Sequence, residues 1–280
     1  MRYQVKAMKA GEGVVSFDLD ARDAGDARAQ ASGRGYAVLS VRGAGGARLS
    51  LPGAEPDPQE ALWLERAENV ITTIRDEGLD RKPLSGLRIG SDMRRIAEAM
   101  GAKVVFYAGI NDWHSGNLPE DGGAIHSPFF RDTGDGLEAL LEIAEENNWL
   151  VLFKPHPNLY PRHIEAHPRL FVVRESNTLD CVDAADVVVT ILSSICYISL
   201  ARGKATVLLG RNTLSGTGAA HELTARGDLA AVVGQALDQT GLSGRLAAFR
   251  DHVAALLRDH LYCYDPADTL ALQSHDVLVQ

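Results

Sequence analysis

The sequence predicts an α/β protein, with a mainly parallel sheet over residues 101–280 and a small ββαβ module over residues 1–43. Three observations carry this. The runs Val104–Ala108, Leu150–Phe153, Val187–Thr190 and Ala205–Leu209 are short and almost wholly apolar. They are too short for helices and fit strands buried on both faces of a parallel sheet. Segments with apolar residues at helical spacing separate them, as parallel crossovers require. The first 43 residues follow a different rhythm, in which apolar residues alternate with period two around one Ala-rich stretch.

Arg2–Met8 alternates like a strand, Gly11-Glu12-Gly13 supplies a turn, and Val14–Leu19 alternates again. Asp23–Ser32 reads as a helix capped by Asp23 and stopped by Gly33 and Gly35. Tyr36–Val41 is the third strand of the module. Residues 44–60 are rich in Gly, Ala and Pro and read as a linker. In residues 59–78, Leu62, Leu64, Ala67, Val70, Ile71 and Ile74 recur with helical spacing until Gly78. Residues 91–100 form a second helix, closed by Gly101. The stretch 44–100 is therefore a linker with connecting helices.

Val104–Ala108 opens the main domain and runs into Gly109-Ile110-Asn111-Asp112-Trp113-His114-Ser115-Gly116. Asp112 follows the strand end by four residues, a place for a functional carboxylate or for a turn cap. His114 and His126 read as solvated loop histidines. Ser127-Pro128-Phe129-Phe130 precedes a helix over Gly136–Asn147, whose apolar face is Leu137, Leu140, Leu141 and Ala144. Its Glu142, Glu145 and Glu146 read as a solvated face. Phe171–Val173 is an edge strand, and Ser176–Ala185 a short helix with Asp183 and Asp186 exposed. A Gly/Ser/Thr-rich loop, Gly210–Gly218, follows the strand Ala205–Leu209. Two helices fill residues 226–260, the first marked by Leu229, Val232, Val233, Ala236 and Leu237.

Two strand ends carry the candidate chemistry. Leu150–Phe153 breaks at Lys154-Pro155-His156-Pro157, where two prolines end the ladder and hold an imidazole in a stiff turn. Val187–Thr190 runs into Ser193-Ser194, after which a helical pattern (Ile195, Ile198, Leu200) begins and lasts until Gly203. In an open parallel sheet, ligands bind beyond the carboxyl ends of the strands, where helix starts favour anions. Lys154, His156, Ser193 and Ser194 would face one crevice suited to a phosphate or diphosphate. Each turn also has a structural explanation, since prolines end strands and serines cap helices.

Composition narrows the classes. The chain has 280 residues, is 45% apolar and 23% charged, and carries a net charge of −9, which argues against a general nucleic-acid surface. Cys181, Cys196 and Cys263 lie far apart without metal-ligand spacing, and Cys196 falls on the core side of a helix. A reduced, cytoplasmic setting fits. No apolar run approaches the ~20 residues of a membrane span, and no signal peptide is evident, so membrane association would be peripheral. His163 and His167 sit four apart, as helical metal ligands can. Pro161 and Pro168 bracket them closely and no third ligand appears, so no metal is expected.

The KPHP turn, the SS-helix-RGK-strand-LGR run, AGINDWHSG and HSPFF together resemble the bacterial capsular-polysaccharide and lipopolysaccharide glycosyltransferases. Glycerophosphotransferases of wall teichoic acid share the HP and SS pattern more distantly. The resemblance covers roughly residues 100–275 and rests on the order of several motifs. It implies a Rossmann-like domain, one half of a GT-B pair, that binds a nucleotide sugar, with CMP-linked 2-keto acid sugars such as Kdo as the donor type. It implies that His156 assists the departing phosphate and that Asp112 is the catalytic base. Lys154, Pro157, Ser193 and Ser194 would surround the donor phosphate. Glu222 would accept from a ribose or sugar hydroxyl, where the residues alone give a surface carboxylate. The Gly210–Gly218 loop would close over the donor. The acceptor would be a glycan or lipid-linked hydroxyl, no cofactor is implied, and the place of action would be the inner face of the inner membrane.

Two departures from the family stand out. Residues 1–100 are too short and wrongly patterned for a complete first GT-B domain, so a homodimer or partner chain is expected over the crevice. Family members carry a glutamate shortly after the serine pair, in a pattern like SSxxxEAL, and Ser199 stands there instead. Residues 1–43 (RYQVKAM, DARDAGDARAQA, GYAVLSV) weakly resemble the amino-terminal segment of type II secretion and type IV pilus platform proteins. A second reading follows: a catalytically weak nucleotide-binding module that docks to a secretion or polysaccharide-assembly platform.

Overall fold

A computed structural model describes residues 2–9, 13–22, 24–43, 58–78, 88–112, 127–156 and 164–259. Its contacts divide the chain into two units, Met1–Pro56 and Asp57–Gln280. No helix among the described residues is long and apolar enough to cross a membrane.

The first unit follows the expected ββαβ order. β1 (Arg2–Lys9) lies between β2 (Gly13–Asp20) and β3 (Ala37–Gly43), antiparallel to both. α1 (Ala24–Gly33) presents Ala27 and Ala31, one turn apart and fully buried, beside Val5 and Leu19. Small side chains let a helix approach a sheet closely, so few apolar groups suffice for this core. Asp23, the expected cap, lies outside the described residues.

The second unit holds six parallel strands: β4 (Lys103–Ala108), β5 (Trp149–Lys154), β6 (Leu170–Val172), β7 (Val187–Thr190), β8 (Ala205–Leu208) and β9 (His221–Glu222). Their spatial order is β6-β5-β4-β7-β8-β9. Counted within this sheet, that is 3-2-1-4-5-6, the doubly wound Rossmann order, which reverses between β4 and β7. The helices of the second unit are α2 (Pro58–Glu77), α3 (Gly90–Met100), α4 (Thr133–Ala144), α5 (Thr178–Ala184), α6 (Ile195–Ala201), α7 (Leu229–Leu237) and α8 (Leu242–Asp259).

Strand alternation splits the core in two. Val104, Phe106, Leu150, Leu152, Val188 and Leu208 point to the face covered by α2, α3, α5, α6 and α8. Val105, Tyr107, Val151, Phe153, Val187, Val189 and Val207 point to the face covered by α4 and α7. With both faces dry, the strands need no polar alternation, which is why they read as continuous apolar runs.

Several elements differ from expectation. α2 and α3 belong to the second unit: Ala67, Ile74, Met93 and Ala97 are buried in its core, and α2 packs on α6 and α8. α4 begins at Thr133, one turn before Gly136. The Asp132 carboxylate accepts from Asp135 N–H (2.9 Å), and Asp135 accepts from Arg131 N–H (2.9 Å). The first bond is an N-cap and the second ties the residue before it to the same turn, and these side chains outweigh two glycines in the first turn. Gly136 is needed there, because a Cβ would lie 2.5 Å from the buried Tyr107 hydroxyl. Asp186 is half-buried, accepting from Val104 N–H (2.8 Å) and pairing with Arg94 (2.9 Å), and is not a free surface carboxylate. β9 has only two residues, His-Glu, and carries no pattern a sequence reader could use.

Candidate functional site

Strand order reverses between β4 and β7, the place where open parallel sheets bind ligands beyond their carboxyl ends, and the turn after β5 lies beside β4. Backbone bonds stitch these ends together. Gly109 N–H donates to Lys154 O (2.9 Å), and Leu209 N–H to Thr190 O (2.9 Å). The Thr190 hydroxyl donates to Ala108 O (3.2 Å). A Cβ on Gly109 would lie 3.2 Å from His156 N and 3.3 Å from Lys154 O, so the glycine lets the Lys154-Pro155-His156 turn close against β4. Pro155 is buried and the His156 side chain half-exposed. Pro157 and His163 lie outside the described residues, as do His114 and His126.

Several of the predicted side chains hold the protein's own backbone. The three Lys154 ammonium contacts are Ser176 O (2.8 Å), Arg174 O (3.2 Å) and Ser176 Oγ (3.4 Å). Ser176 Oγ also accepts from the buried Cys181 thiol (3.2 Å). Burial pulls the Lys154 pKa below the ordinary lysine value. The lysine therefore pins the segment between β6 and α5. Asp112 is 8% exposed. Its carboxylate accepts from Thr133 N–H (3.0 and 3.2 Å) and Thr133 Oγ1 (3.1 Å). That satisfies a first-turn amide of α4, the turn-cap alternative of the sequence reading.

The serine turn is divided in its use. Ser193 Oγ accepts from Ile195 N–H (3.3 Å), Ser193 O from Cys196 N–H (3.2 Å) and Ser194 O from Tyr197 N–H (3.0 Å). The first amides of α6 are thus occupied within the turn. The exposed Ser194 hydroxyl bonds to no described residue. Cys196 is buried, and burial pushes its thiol to about 12. Counted from Ser193-Ser194, the glutamate of an SSxxxEAL pattern aligns with Ile198, one residue before Ser199. Ile198 is buried in the core, and Ser199, fully buried, accepts from Thr206 Oγ1 (2.8 Å). A carboxylate at either position would lack water, so the residues present suit the local packing.

Glu222, at the end of β9, accepts from Gly216 N–H (2.8 Å) through one oxygen. It lines a cavity of 430 Å³ with Pro128, Phe129, Arg211, Ser215 and Gly216. The Gly210–Gly218 loop beside it is tied down. Asn212 Oδ1 accepts from Leu214 N–H (2.8 Å), and Arg245 donates to Ala220 O (2.8 Å). Tyr197 Oη links Thr213 Oγ1 (2.8 Å) to His252 Nε2 (3.0 Å). The wall at Phe129 is held by Ser127, whose hydroxyl donates to Leu209 O (2.9 Å), and by Arg226, which donates to Phe129 O (3.2 Å). Arg226 also forms a two-pronged pair with Asp135, 2.9 Å on each prong. Burial alone would raise the Asp135 pKa, but the Arg226 bonds and Arg131 N–H outweigh it and hold it below the usual carboxylate value. Sequence reasoning missed Arg211, although the LGR run that contains it was visible.

Among the described residues no group of three His, Cys, Asp or Glu side chains is placed to hold a metal ion. His167 Nδ1 accepts from Arg169 N–H (3.1 Å).

No family model matches the chain, and no curated protein matches it. Solved structures do. The KpsC beta Kdo 2,7 transferase of Thermosulfurimonas dismutans is 19% identical over 61% of this chain and 49% of its own, with a TM-score of 0.41. The glycosyltransferase SnogD of Streptomyces nogalater is 16% identical over 55% of this chain and 38% of its own, with a TM-score of 0.37. A UDP-N-acetylglucosamine 2-epimerase from Listeria monocytogenes, so named only provisionally, is 13% identical over 66% of this chain and 55% of its own, with a TM-score of 0.36. This chain thus spans about half the length of the structures it is similar to.

Proposed function

We propose that the second unit is the nucleotide-sugar-binding half of a GT-B glycosyltransferase for surface polysaccharide, with a CMP-linked donor. The observation that carries this is the closing of the His156 turn on the end of β4, next to β7, where strand order reverses. Transfer breaks the bond between the anomeric carbon and a phosphate oxygen and forms one to an acceptor hydroxyl. Negative charge grows on the departing CMP, and the acceptor proton must be removed. In this reading His156 donates to the leaving phosphate and the Ser194 hydroxyl to another of its oxygens. Asp112 takes the acceptor proton in this reading, and its bonds to Thr133 also position the turn that leads into α4. A glycan or lipid-linked acceptor, a partner chain over the crevice and a peripheral place at a membrane belong to the same reading.

The engagement of Asp112 and Lys154 favours a second reading, a nucleotide-binding module with little turnover. Calorimetric titration with CMP tests the shared part. His156→Ala should weaken CMP roughly ten- to a hundredfold, the worth of one charge-assisted hydrogen bond, while circular dichroism stays unchanged. Donor hydrolysis separates the two readings. If no cytidine or uridine nucleotide binds at millimolar concentration, both fail.

A further inference from the structure

The Gly210–Gly218 loop is held along most of its length. At its centre Leu214 is fully buried, in the core that α2, α6 and α8 cover. The amides of Asn212, Leu214, Ser215, Gly216 and Thr217 all have partners within the loop or on Glu222. Thr217 Oγ1 donates to Leu214 O (2.7 Å), and Arg245 on α8 donates to Gly218 O (3.3 Å) and Ala220 O (2.8 Å). Segments that move in function are drawn from those with few buried apolar groups and with backbone left to water. This loop buries a leucine and commits its amides.

The loop is also tied to the serine turn. Tyr197 stands in the first turn of α6, where its N–H donates to Ser194 O (3.0 Å). Its hydroxyl lies 2.8 Å from Thr213 Oγ1 and 3.0 Å from His252 Nε2. A phenol carries one proton, so it donates to one of these partners and accepts from the other, whichever tautomer His252 takes. Phe249 packs edge-on against the ring (5.6 Å), and Asn212 Nδ2 meets Cys196 Sγ (3.8 Å). Arg245 and His252 lie two turns apart on α8, hence on one face, and both serve this loop, His252 through Tyr197.

We propose that the Gly210–Gly218 loop is a fixed strut and not a lid, and that it holds the Ser193-Ser194 turn in place through Tyr197, a positioning residue. The strut departs from the closing loop that the family resemblance implies. That the turn meets a phosphate rests on the proposed function; that the loop holds it does not.

Hydrogen exchange on the full chain, read by NMR with and without CMP, is the test. The Leu214 and Gly216 amides should be protected at least roughly tenfold without ligand, and CMP should change their rates by less than about twofold. A lid would leave them unprotected until CMP arrives, which would overturn the proposal. Thr213→Val should speed exchange roughly fivefold at the Cys196 and Tyr197 amides, which bond to Ser193 O and Ser194 O; that is the worth of one neutral hydrogen bond. Tyr197→Phe should do the same, and the double variant no more than Tyr197→Phe alone. Thr213→Ser keeps the hydroxyl and should keep the wild-type rates. The Gly136 amide, in α4 on the opposite face of the sheet, should not respond to any of them. Equal acceleration at Gly136 means general loosening, and no acceleration at Cys196 and Tyr197 means no coupling; either result sinks the strut. Where the wild type binds CMP, Thr213→Val should weaken it roughly two- to fivefold, and an unchanged affinity would defeat the coupling to the turn. If CMP does not bind at all, the crevice reading falls and the ligand-free exchange rates alone decide the strut.

Discussion

The two ends of the six-stranded sheet treat their polar groups differently. At the amino ends, polar side chains close on neighbouring backbone and on one another. Asp186 joins Val104 N–H to Arg94, and Lys204 Nζ donates to Asp183 O (3.0 Å) and Ala185 O (2.9 Å). Arg202 clamps Asp183 and reaches Arg75 O on α2. At the carboxyl ends, Asp112 and Lys154 are similarly committed, yet the Ser194 hydroxyl, the Arg211 guanidinium and one Glu222 oxygen bond to no described residue. Groups that close on one another fasten helices to strands. Groups left without a protein partner at strand ends are the ones a ligand can use.

That contrast can be broken at its saturated end first. Asp186→Ala strands the Val104 amide and unpairs Arg94, and should cost about 1.5–3 kcal/mol in urea unfolding while leaving ligand binding in place. A loss below about 0.5 kcal/mol would mean that the amino end is no fastening.

A second effect should appear with pH. His221 on β9 is 5% exposed, and burial, with the nearby Arg245 charge, lowers its pKa from 6.5 to about 4. Between those values the unfolded chain takes the proton and the folded chain refuses it. Stability from this group is therefore complete above the ordinary histidine pKa. It falls as pH drops through the window and levels off below the folded pKa, by at most about 3 kcal/mol. Denaturant series at stepped pH on the wild type and His221→Gln check this; an equal slope in both would remove His221 from the account.

The smallest effect sharpens the open end. Ser194→Ala should change stability by less than about 0.5 kcal/mol, since its hydroxyl bonds to no described residue. CMP affinity should fall a few-fold at the same time, less than for His156→Ala. A stability loss larger than that of Asp186→Ala would reverse the contrast.

The sequence by itself determined the strands of the second unit, because burial on both faces leaves a continuous apolar run that needs no knowledge of neighbours. It determined the ββαβ order of the first unit from period-two alternation, and it placed the histidine and serine turns, since Pro155 and Ser193 act on adjacent backbone. It did not decide what the polar side chains hold. That Lys154 holds Ser176, 22 residues on, could not be read from the sequence. Asp112 reads as a base or a turn cap, and that it accepts the amide of Thr133, 21 residues on, could not be read from the sequence. Asp186 reads as exposed until Arg94, 92 residues earlier, arrives on α3. Arg211 drew no notice, because whether a charged side chain meets a partner is a property of the whole fold. Strands and turns answer to nearest neighbours and burial, whereas a charged side chain answers to whatever distant group the topology brings within hydrogen-bond reach, and that only the tertiary structure decided.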